Sequence, residues 1–166
     1  VYGLSDFGNV SNYYAPFFRM RGADTTKKIA KNGDYITDFL TDKAVSMIEN
    51  YDRDQPFMLS MHYYNVHSPN IGRKDLFDKY KAKGMTDIQA NYAAQIEAVD
   101  ESVGRIRKAI KDRGIEDNTI VIYFSDQGGL YSNYPLRGCK LIYDTMAEGG
   151  IRVPLAIYYP GVTTKG

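Results

Sequence analysis

The sequence has no tryptophan and only one cysteine, Cys139, among its 166 residues. A single cysteine cannot form an internal disulfide bond, so the cysteine content does not reveal the compartment of the protein. The chain also lacks an excess of charge of either sign, since its formal net charge is +1 at pH 7. This balance gives no electrostatic reason to expect nucleic acid or a membrane surface as a partner, and we expect neither.

Long hydrophobic runs are absent as well, and no stretch approaches the length of a transmembrane span. No signal peptide opens the chain, but the first residue is Val1 rather than methionine, so this absence says little about export. The hydrophobic fraction of 43% and the charged fraction of 25% are ordinary for a globular protein. The length is sufficient for one domain with a hydrophobic core, or for a piece of a larger one.

Apolar residues at helical spacing predict a helix that begins near Ile36, a short helix within residues 73–83 and a long helix that ends at Gly114. The pair Thr86 and Gln89 has the spacing of a capping box at the start of the long helix. The large apolar residues of the long helix are predicted to form its buried face: Ile88, Tyr92, Ile96, Val99, Val103, Ile106 and Ile110.

Three apolar segments, residues 57–64, 119–124 and 153–159, are predicted to be strands. The order strand, helix, helix, strand, loop, strand predicts an α/β fold with a mostly parallel sheet flanked by helices. Residues 1–34 show no sustained period and are predicted to be an irregular lead-in. Residues 35–166 would then carry the chemistry of a single domain that spans residues 1–166.

The most informative segment follows the predicted buried strand 119–124, where Asp126 and Gln127 precede two glycines. The carboxyl edge of a parallel sheet is where open α/β folds place their sites. Calcium and magnesium prefer oxygen ligands, and these two residues offer a carboxylate and an amide. Taken alone, the segment suits an ordinary polar turn better than a metal site.

Two further loop residues, His67 and Lys140, supply the other groups that an oxyanion ester site needs. A lysine can hold the anion, a histidine can move a proton, and a metal can polarise the ester. Each residue by itself is also compatible with ordinary protein surface. His62 lies within the predicted strand 57–64 and is interpreted as a structural residue.

Six motifs occur in a fixed order between about Tyr35 and Gly161. They are Tyr35-Ile36-Thr37-Asp38 with Thr41-Asp42-Lys43-Ala44, Val66-His67-Ser68-Pro69, the helix from Tyr92 to Ile106, Asn118-Thr119-Ile120-Val121 with Ser125-Asp126-Gln127-Gly128, Leu136-Arg137-Gly138-Cys139-Lys140, and Glu148-Gly149-Gly150-Ile151-Arg152-Val153-Pro154. In these motifs the chain resembles the carboxyl-terminal part of the catalytic domain of the sulfatases, in the alkaline-phosphatase-like superfamily. The resemblance implies a partial alkaline-phosphatase-like fold.

The resemblance also implies a role for each site residue. Asp126 and Gln127 are similar to two ligands of the active-site cation, usually Ca²⁺, with Mg²⁺ as the alternative. His67 resembles the histidine that contacts the sulfate ester and protonates the leaving oxygen, and Lys140 resembles the lysine that binds a sulfate oxygen. The implied substrate is a small-molecule or saccharide sulfate ester. Members of the family are generally periplasmic, secreted or lysosomal, and we expect the same here.

The sequence departs from the family pattern at the nucleophile. The family uses a cysteine oxidised to formylglycine within a C-x-[PS]-x-R motif, and the 166 residues contain no such motif. Cys139 stands where the family often has glycine and is interpreted as a small residue in a tight loop. The resemblance therefore implies a sulfatase fragment that is inactive alone, with formylglycine expected in an upstream segment.

Two other functions stay open at this point. A phosphomonoesterase or phosphonate hydrolase of the same superfamily would share the metal loop, although the H-x-P and L-R-G-x-K motifs favour a sulfatase. A non-catalytic module that binds a metal or an oxyanion would also be compatible with a chain that lacks the nucleophile.

Overall fold

The structure is a computed structural model that describes residues 12–17, 30–52, 54–140 and 147–164. The chain divides into two compact units, Val1–Arg113 and Gly114–Gly166, and each is treated separately below. Most of the predicted irregular lead-in, residues 1–11 and 18–29, lies outside the described residues. Within the described parts of the chain, no helix combines the length and the apolar character that crossing a membrane requires.

The described part of the first unit contains three helices, α1 (Ile36–Glu49), α2 (Lys74–Lys81) and α3 (Asp87–Asp112), close to the three predicted ones. The predicted capping box of α3 is confirmed. The Thr86 Oγ1 atom accepts a hydrogen bond from the Gln89 backbone N–H at 3.3 Å, and Gln89 Oε1 accepts one from the Thr86 backbone N–H at 3.0 Å. Two N–H groups at the helix start thereby gain acceptors, which fixes where α3 begins.

The buried face of α3 differs from the predicted one. Val99 and Ile110 are buried as predicted, but Ile88 and Ile96 are 62% and 50% exposed. Small side chains take their place: Ala90, Ala94, Ala98, Ser102 and Ala109 are all buried. α3 packs against both α1 and α2, and small residues allow helix axes to approach closely. The prediction was wrong because it weighted apolar positions by size rather than by which face meets a neighbour.

The predicted strand 57–64 is not formed among the described residues. Their side chains alternate between half-buried and exposed positions, and Met61 and Tyr63 pack on the hydrophobic core while Met58 is 91% exposed. This period of two is that of an extended chain with one covered face. The core beneath it comprises buried residues from the start of the unit and from the three helices: Tyr13, Ala15, Phe17, Tyr35, Ile36, Phe39, Leu40, Leu76, Ala94 and Ala98.

Arg73, at the start of α2, ties the three helices together through its guanidinium. It bonds Asp75 at 2.7 Å, Glu101 of α3 at 2.7 Å and Asp38 of α1 at 3.2 Å. The two aspartates respond differently to this setting. Burial raises the pKa of Asp38 although Arg73 partly offsets it, whereas the hydrogen bond from Arg73 lowers the pKa of the more exposed Asp75.

These opposite shifts predict opposite effects of two matched substitutions. A raised folded-state pKa gives Asp38 a stabilising contribution only below its unfolded pKa of about 3.9, and that contribution is lost as the pH rises. The lowered pKa of Asp75 gives a stabilising contribution at pH values above the unfolded pKa, and this contribution is lost as the pH falls through the folded-state pKa. At pH 7 we therefore expect Asp38→Asn to raise the free energy of unfolding and Asp75→Asn to lower it, each by less than about 1 kcal/mol. Urea unfolding at pH 7 and pH 3 checks this, and changes of the same sign at pH 7 would contradict it.

The second unit holds a short 3₁₀ helix (Glu116–Asn118), strand β1 (Val121–Phe124), the four-residue helix α4 (Glu148–Ile151) and strand β2 (Leu155–Tyr158). β1 pairs with β2 in an antiparallel register in which Val121 lies opposite Tyr158 and Phe124 lies opposite Leu155. Helices together with a sheet confirm the α/β class.

The prediction of a mostly parallel sheet is wrong for the strands that the structure describes. A parallel connection needs a crossover long enough to return the chain to the same end of the sheet, usually through a helix. Within the described part of residues 125–154, the connection between β1 and β2 contains only the single turn of α4. The predicted strand 57–64, which would have supplied another partner, forms no ladder in the described residues.

The predicted burial of the strand 119–124 is also not observed. Ile122 and Phe124 of β1 are 56% and 65% exposed, and Leu155 and Ile157 of β2 are 63% and 50% exposed. An apolar strand is buried only where a packed layer covers the sheet. The apolar composition of β1 is typical of such a covered strand, but composition cannot specify what covers it.

Candidate functional site

Asp126 and Gln127 lie immediately after β1, where the predicted metal loop begins. The Ser125 hydroxyl donates a hydrogen bond to the Gln127 backbone carbonyl at 2.9 Å and holds the chain in a tight turn. Both side chains are exposed, and neither makes a hydrogen bond or an ion pair with another described residue. Their oxygens are therefore uncommitted within the described part of the chain.

Backbone hydrogen bonds join this loop to the other two motifs of the second unit. The Gly128 N–H donates to the Gly150 carbonyl at 2.9 Å, the Lys140 N–H donates to the Gly129 carbonyl at 2.9 Å, and the Gly149 N–H donates to the Arg137 carbonyl at 2.7 Å. The segments that begin at Ser125, Leu136 and Glu148 thus form one hydrogen-bonded framework. The structure thereby brings the backbones of Asp126, Gln127 and Lys140 into one cluster of loops.

Asn133 organises the loop between Gly129 and Lys140, and sequence reasoning missed it. Its Oδ1 atom accepts the Gly129 N–H at 3.2 Å, and its Nδ2 atom lies 3.0 Å from the Gly129 carbonyl and 3.1 Å from the Tyr131 carbonyl. Asparagine commonly bonds local backbone in tight turns. Its place in a loop bounded by glycines was the available signal. Asn133 helps to fix the spacing between the predicted metal loop and Lys140.

Lys140 is half-buried, and its ammonium makes no ion pair with a described residue. The nearby motif residue Glu148 pairs instead with Arg152 at 3.6 Å. A lysine that no described carboxylate neutralises, on a loop held by backbone bonds, is suited to bind an anion such as a sulfate oxygen.

His67 lies in the first unit, so its position is described apart from that of the other three residues. Its backbone N–H donates to the Tyr64 carbonyl at 2.8 Å, and its Nδ1 atom lies 2.8 Å from the Ser68 carbonyl. A carbonyl only accepts, so Nδ1 is the donor, and Nε2 is left as the nitrogen that can take or give a proton. A site shared by His67 with Asp126, Gln127 and Lys140 stays a prediction.

The predicted structural role of His62 has support. Its Nε2 atom lies 2.9 Å from the Ser60 hydroxyl. The His62 side chain is exposed, and the residue does not lie in a strand.

The side-chain oxygens of Asp126 and Gln127 could supply some, but not all, of the ligands of a hard cation. A carboxylate and a side-chain amide oxygen are ligands that Ca²⁺ accepts, but Ca²⁺ takes six to eight oxygens. Among the described residues, no group of three or more histidine, cysteine, aspartate or glutamate side chains is placed to hold a metal. Asp126 and Gln127 therefore fit one part of a calcium site, and the remaining ligands would have to come from elsewhere.

Comparison with protein families gives a match over nearly the whole chain, in which residues 2–165 match the family described as Sulfatase. The chain is 41% identical over 145 residues to a sulfatase of Formosa agariphila, a match that covers 78% of this chain and 26% of that protein. It is 34% identical over 140 residues to arylsulfatase J of Mus musculus, covering 81% of this chain and 23% of that protein. The chain thus spans about a quarter of the length of these curated relatives.

A solved structure shows the same fold. The crystal structure of Ps i-CgsB in complex with k-i-k-neocarrahexaose superposes with a TM-score of 0.72 at 30% sequence identity, covering 80% of this chain and 30% of that one. The predicted partial alkaline-phosphatase-like fold is confirmed by this likeness and by the family match.

Proposed function

This chain belongs to the sulfatase family, and we propose on that basis that it is part of an enzyme that hydrolyses sulfate esters. The observation that carries the proposal is the backbone framework of the second unit. Bonds from Gly128, Lys140 and Gly149 hold together the loops that bear a carboxylate, an amide and a lysine with no ion-pair partner among the described residues. This combination of oxygen donors and a cation suits a metal-assisted site for an oxyanion ester.

Each site residue has a proposed role. Asp126 and Gln127 would hold Ca²⁺, with Mg²⁺ as the alternative, and a bound cation supplies polarisation of the ester oxygens. Lys140 would bind a sulfate oxygen and stabilise the charge that develops there. His67 would give a proton from Nε2 to the leaving oxygen, since Nδ1 is engaged by the Ser68 carbonyl. The nucleophile is proposed to be a formylglycine outside these 166 residues.

A saccharide sulfate is the proposed substrate class. The relative Ps i-CgsB was solved with a neocarrahexaose, which is a saccharide. In the second unit, an open cleft of about 480 Å³ is lined by Tyr131, Tyr134 and Cys139 among others. Exposed aromatic rings offer flat apolar surfaces on which the apolar face of a sugar ring can lie. We propose an exported or lysosomal location as well, in keeping with the family.

The proposed activity is tested with a full-length protein that carries this chain. We expect it to hydrolyse 4-nitrophenyl sulfate and a sulfated saccharide faster than 4-nitrophenyl phosphate. Faster phosphate hydrolysis would favour the phosphomonoesterase, and the absence of any turnover would favour a binding module. The 166-residue chain by itself should show no turnover, and hydrolysis by it would overturn the assignment of the nucleophile to another segment.

Calcium binding gives a test that does not depend on turnover. At a free Ca²⁺ concentration of 100 times Kd, binding is expected to stabilise the full-length protein by about 2.7 kcal/mol. Asp126→Asn should remove most of this gain, because it removes the only charged oxygen ligand that the described loop offers. Thermal unfolding with Ca²⁺ and with a chelator measures the difference. Asp117→Asn, an exposed aspartate of the same unit, is the matched control, and an equal loss in both variants would contradict the assignment.

A further inference from the structure

We infer that Tyr13 is a positioning residue for His67, an inference that rests on the proposed function of the protein. The Tyr13 side chain is fully buried in the first unit. Its hydroxyl lies 2.7 Å from the backbone carbonyl of His67 and 2.7 Å from that of Tyr64. One hydroxyl proton is thus shared between the two carbonyls that bracket the histidine loop, and the loop is anchored from beneath.

Tyr13 is itself firmly held. Its carbonyl accepts the Ile36 N–H at 2.8 Å at the start of α1, and its ring stacks on that of Tyr35 with 5.9 Å between centroids. Burial raises the pKa of Tyr13, so its hydroxyl keeps its proton and remains a donor throughout the physiological pH range. The anchor therefore does not switch with pH within that range.

A second contact holds the same loop from the side of α3. The Asn70 Nδ2 atom donates to the Val66 carbonyl at 3.1 Å and to Gln95 Oε1 at 2.9 Å. Gln95 is fully buried on α3. The Val66 carbonyl is thus held by Asn70, which the buried Gln95 supports, and the His67 carbonyl is held by the buried Tyr13, which leaves the backbone little freedom to shift.

This anchoring matters because the ring of His67 is oriented through its own backbone. Its Nδ1 atom bonds to the carbonyl of the next residue, Ser68, so any movement of the loop turns Nε2 as well. A misplacement of about 1 Å can lower a catalytic rate by about 10²-fold. Tyr13 touches no substrate in this scheme and acts through the histidine.

The test exploits the leaving group, because only a poor leaving group needs a proton from His67. Tyr13→Phe keeps the ring and removes the hydroxyl. In the full-length protein we expect kcat for a sulfated saccharide, which must expel an alkoxide, to fall about 10-fold or more, with KM changed less than about 3-fold. For 4-nitrophenyl sulfate, which expels a stable phenolate, kcat should change less than about 3-fold.

Tyr14→Phe is the matched control, since the Tyr14 hydroxyl accepts the Lys74 N–H at 2.7 Å at the start of α2, away from the histidine loop. It should leave the ratio of the two rates unchanged. An equal loss of both rates in Tyr13→Phe, or the same selectivity in Tyr14→Phe, would overturn the inference. If Tyr13→Phe does not fold, Asn70→Ser replaces it and should show the same selectivity, and an unselective Asn70→Ser would likewise overturn it. A wild-type protein that cleaves neither ester would instead refute the proposed function.

Discussion

Replacement of Lys140 by methionine is expected to lower kcat/KM for sulfate-ester hydrolysis by a full-length protein about 10²- to 10³-fold. The ammonium is unpaired among the described residues, so under the proposed function its charge would be available to the sulfate oxygens as they gain charge in the transition state. Methionine keeps the length of the side chain, and the hydrogen bond to Gly129 is made by the Lys140 backbone N–H and survives the change. Steady-state kinetics measure the loss, and circular dichroism should show an unchanged fold.

Two controls separate the role of the charge from a general effect. Lys111→Met removes an exposed lysine of α3 and should leave kcat/KM within about 2-fold, since a solvated surface charge contributes little. Inorganic sulfate should inhibit the wild-type protein competitively and the Lys140→Met variant much more weakly. A loss of less than about 3-fold in Lys140→Met would show that another cation binds the anion.

The structural features that depend only on neighbouring residues were predictable from the sequence. The capping box needs only Thr86 and Gln89, three positions apart, and its hydrogen bonds form as the spacing indicates. The three helices described in the first unit follow from apolar spacing. The polar loop after β1 follows from the abrupt change at Asp126, where an apolar run gives way to a carboxylate, an amide and glycines. Each of these features depends on residues that are close in the sequence.

The features that were mispredicted depend on what each element packs against. The alanine face of α3 carries a weaker hydrophobic signal than its isoleucines, yet alanine is what permits close packing on α1 and α2. The antiparallel pairing of β1 with β2 depends on the path of the connection between them. A periodic pattern identifies an apolar face, but it does not identify the neighbour that covers it.

The residues proposed for function show the same division. Asp126, Gln127, His67 and Lys140 could be proposed because their motifs resemble those of a family. Tyr13 and Asn133 could not, because their roles exist only through contacts made in the fold. Tyr13 and His67 are 54 positions apart in the sequence, and no local pattern joins them. Supporting residues of this kind emerge only when the hydrogen bonds can be seen.

Gly149→Ala is expected to destabilise the second unit by about 3 kcal/mol. A Cβ atom at this position would collide with the Gly138 carbonyl oxygen and would lie 2.8 Å from the Arg137 carbonyl oxygen. Both obstacles are backbone atoms, so no flexible side chain can move aside. Relief would require a shift of the segment before Lys140 and the loss of the 2.7 Å hydrogen bond from the Gly149 N–H to Arg137. Hydrogen exchange of the amides of Gly128, Lys140 and Gly149 measures the change.

Gly104→Ala provides the matched control, because a Cβ atom at Gly104 meets nothing within 4 Å. Gly104 lies within α3, where alanine is favoured over glycine by about 1 kcal/mol, so this variant should be slightly more stable than the wild type. The same substitution is thus expected to lower stability at Gly149 and to raise it at Gly104. Gly128→Ala should behave like Gly149→Ala, since its Cβ atom would collide with the Gly149 carbonyl oxygen. Unchanged exchange protection in both variants would show that the three loops do not depend on close backbone contact, and that Lys140 is held in place by other means.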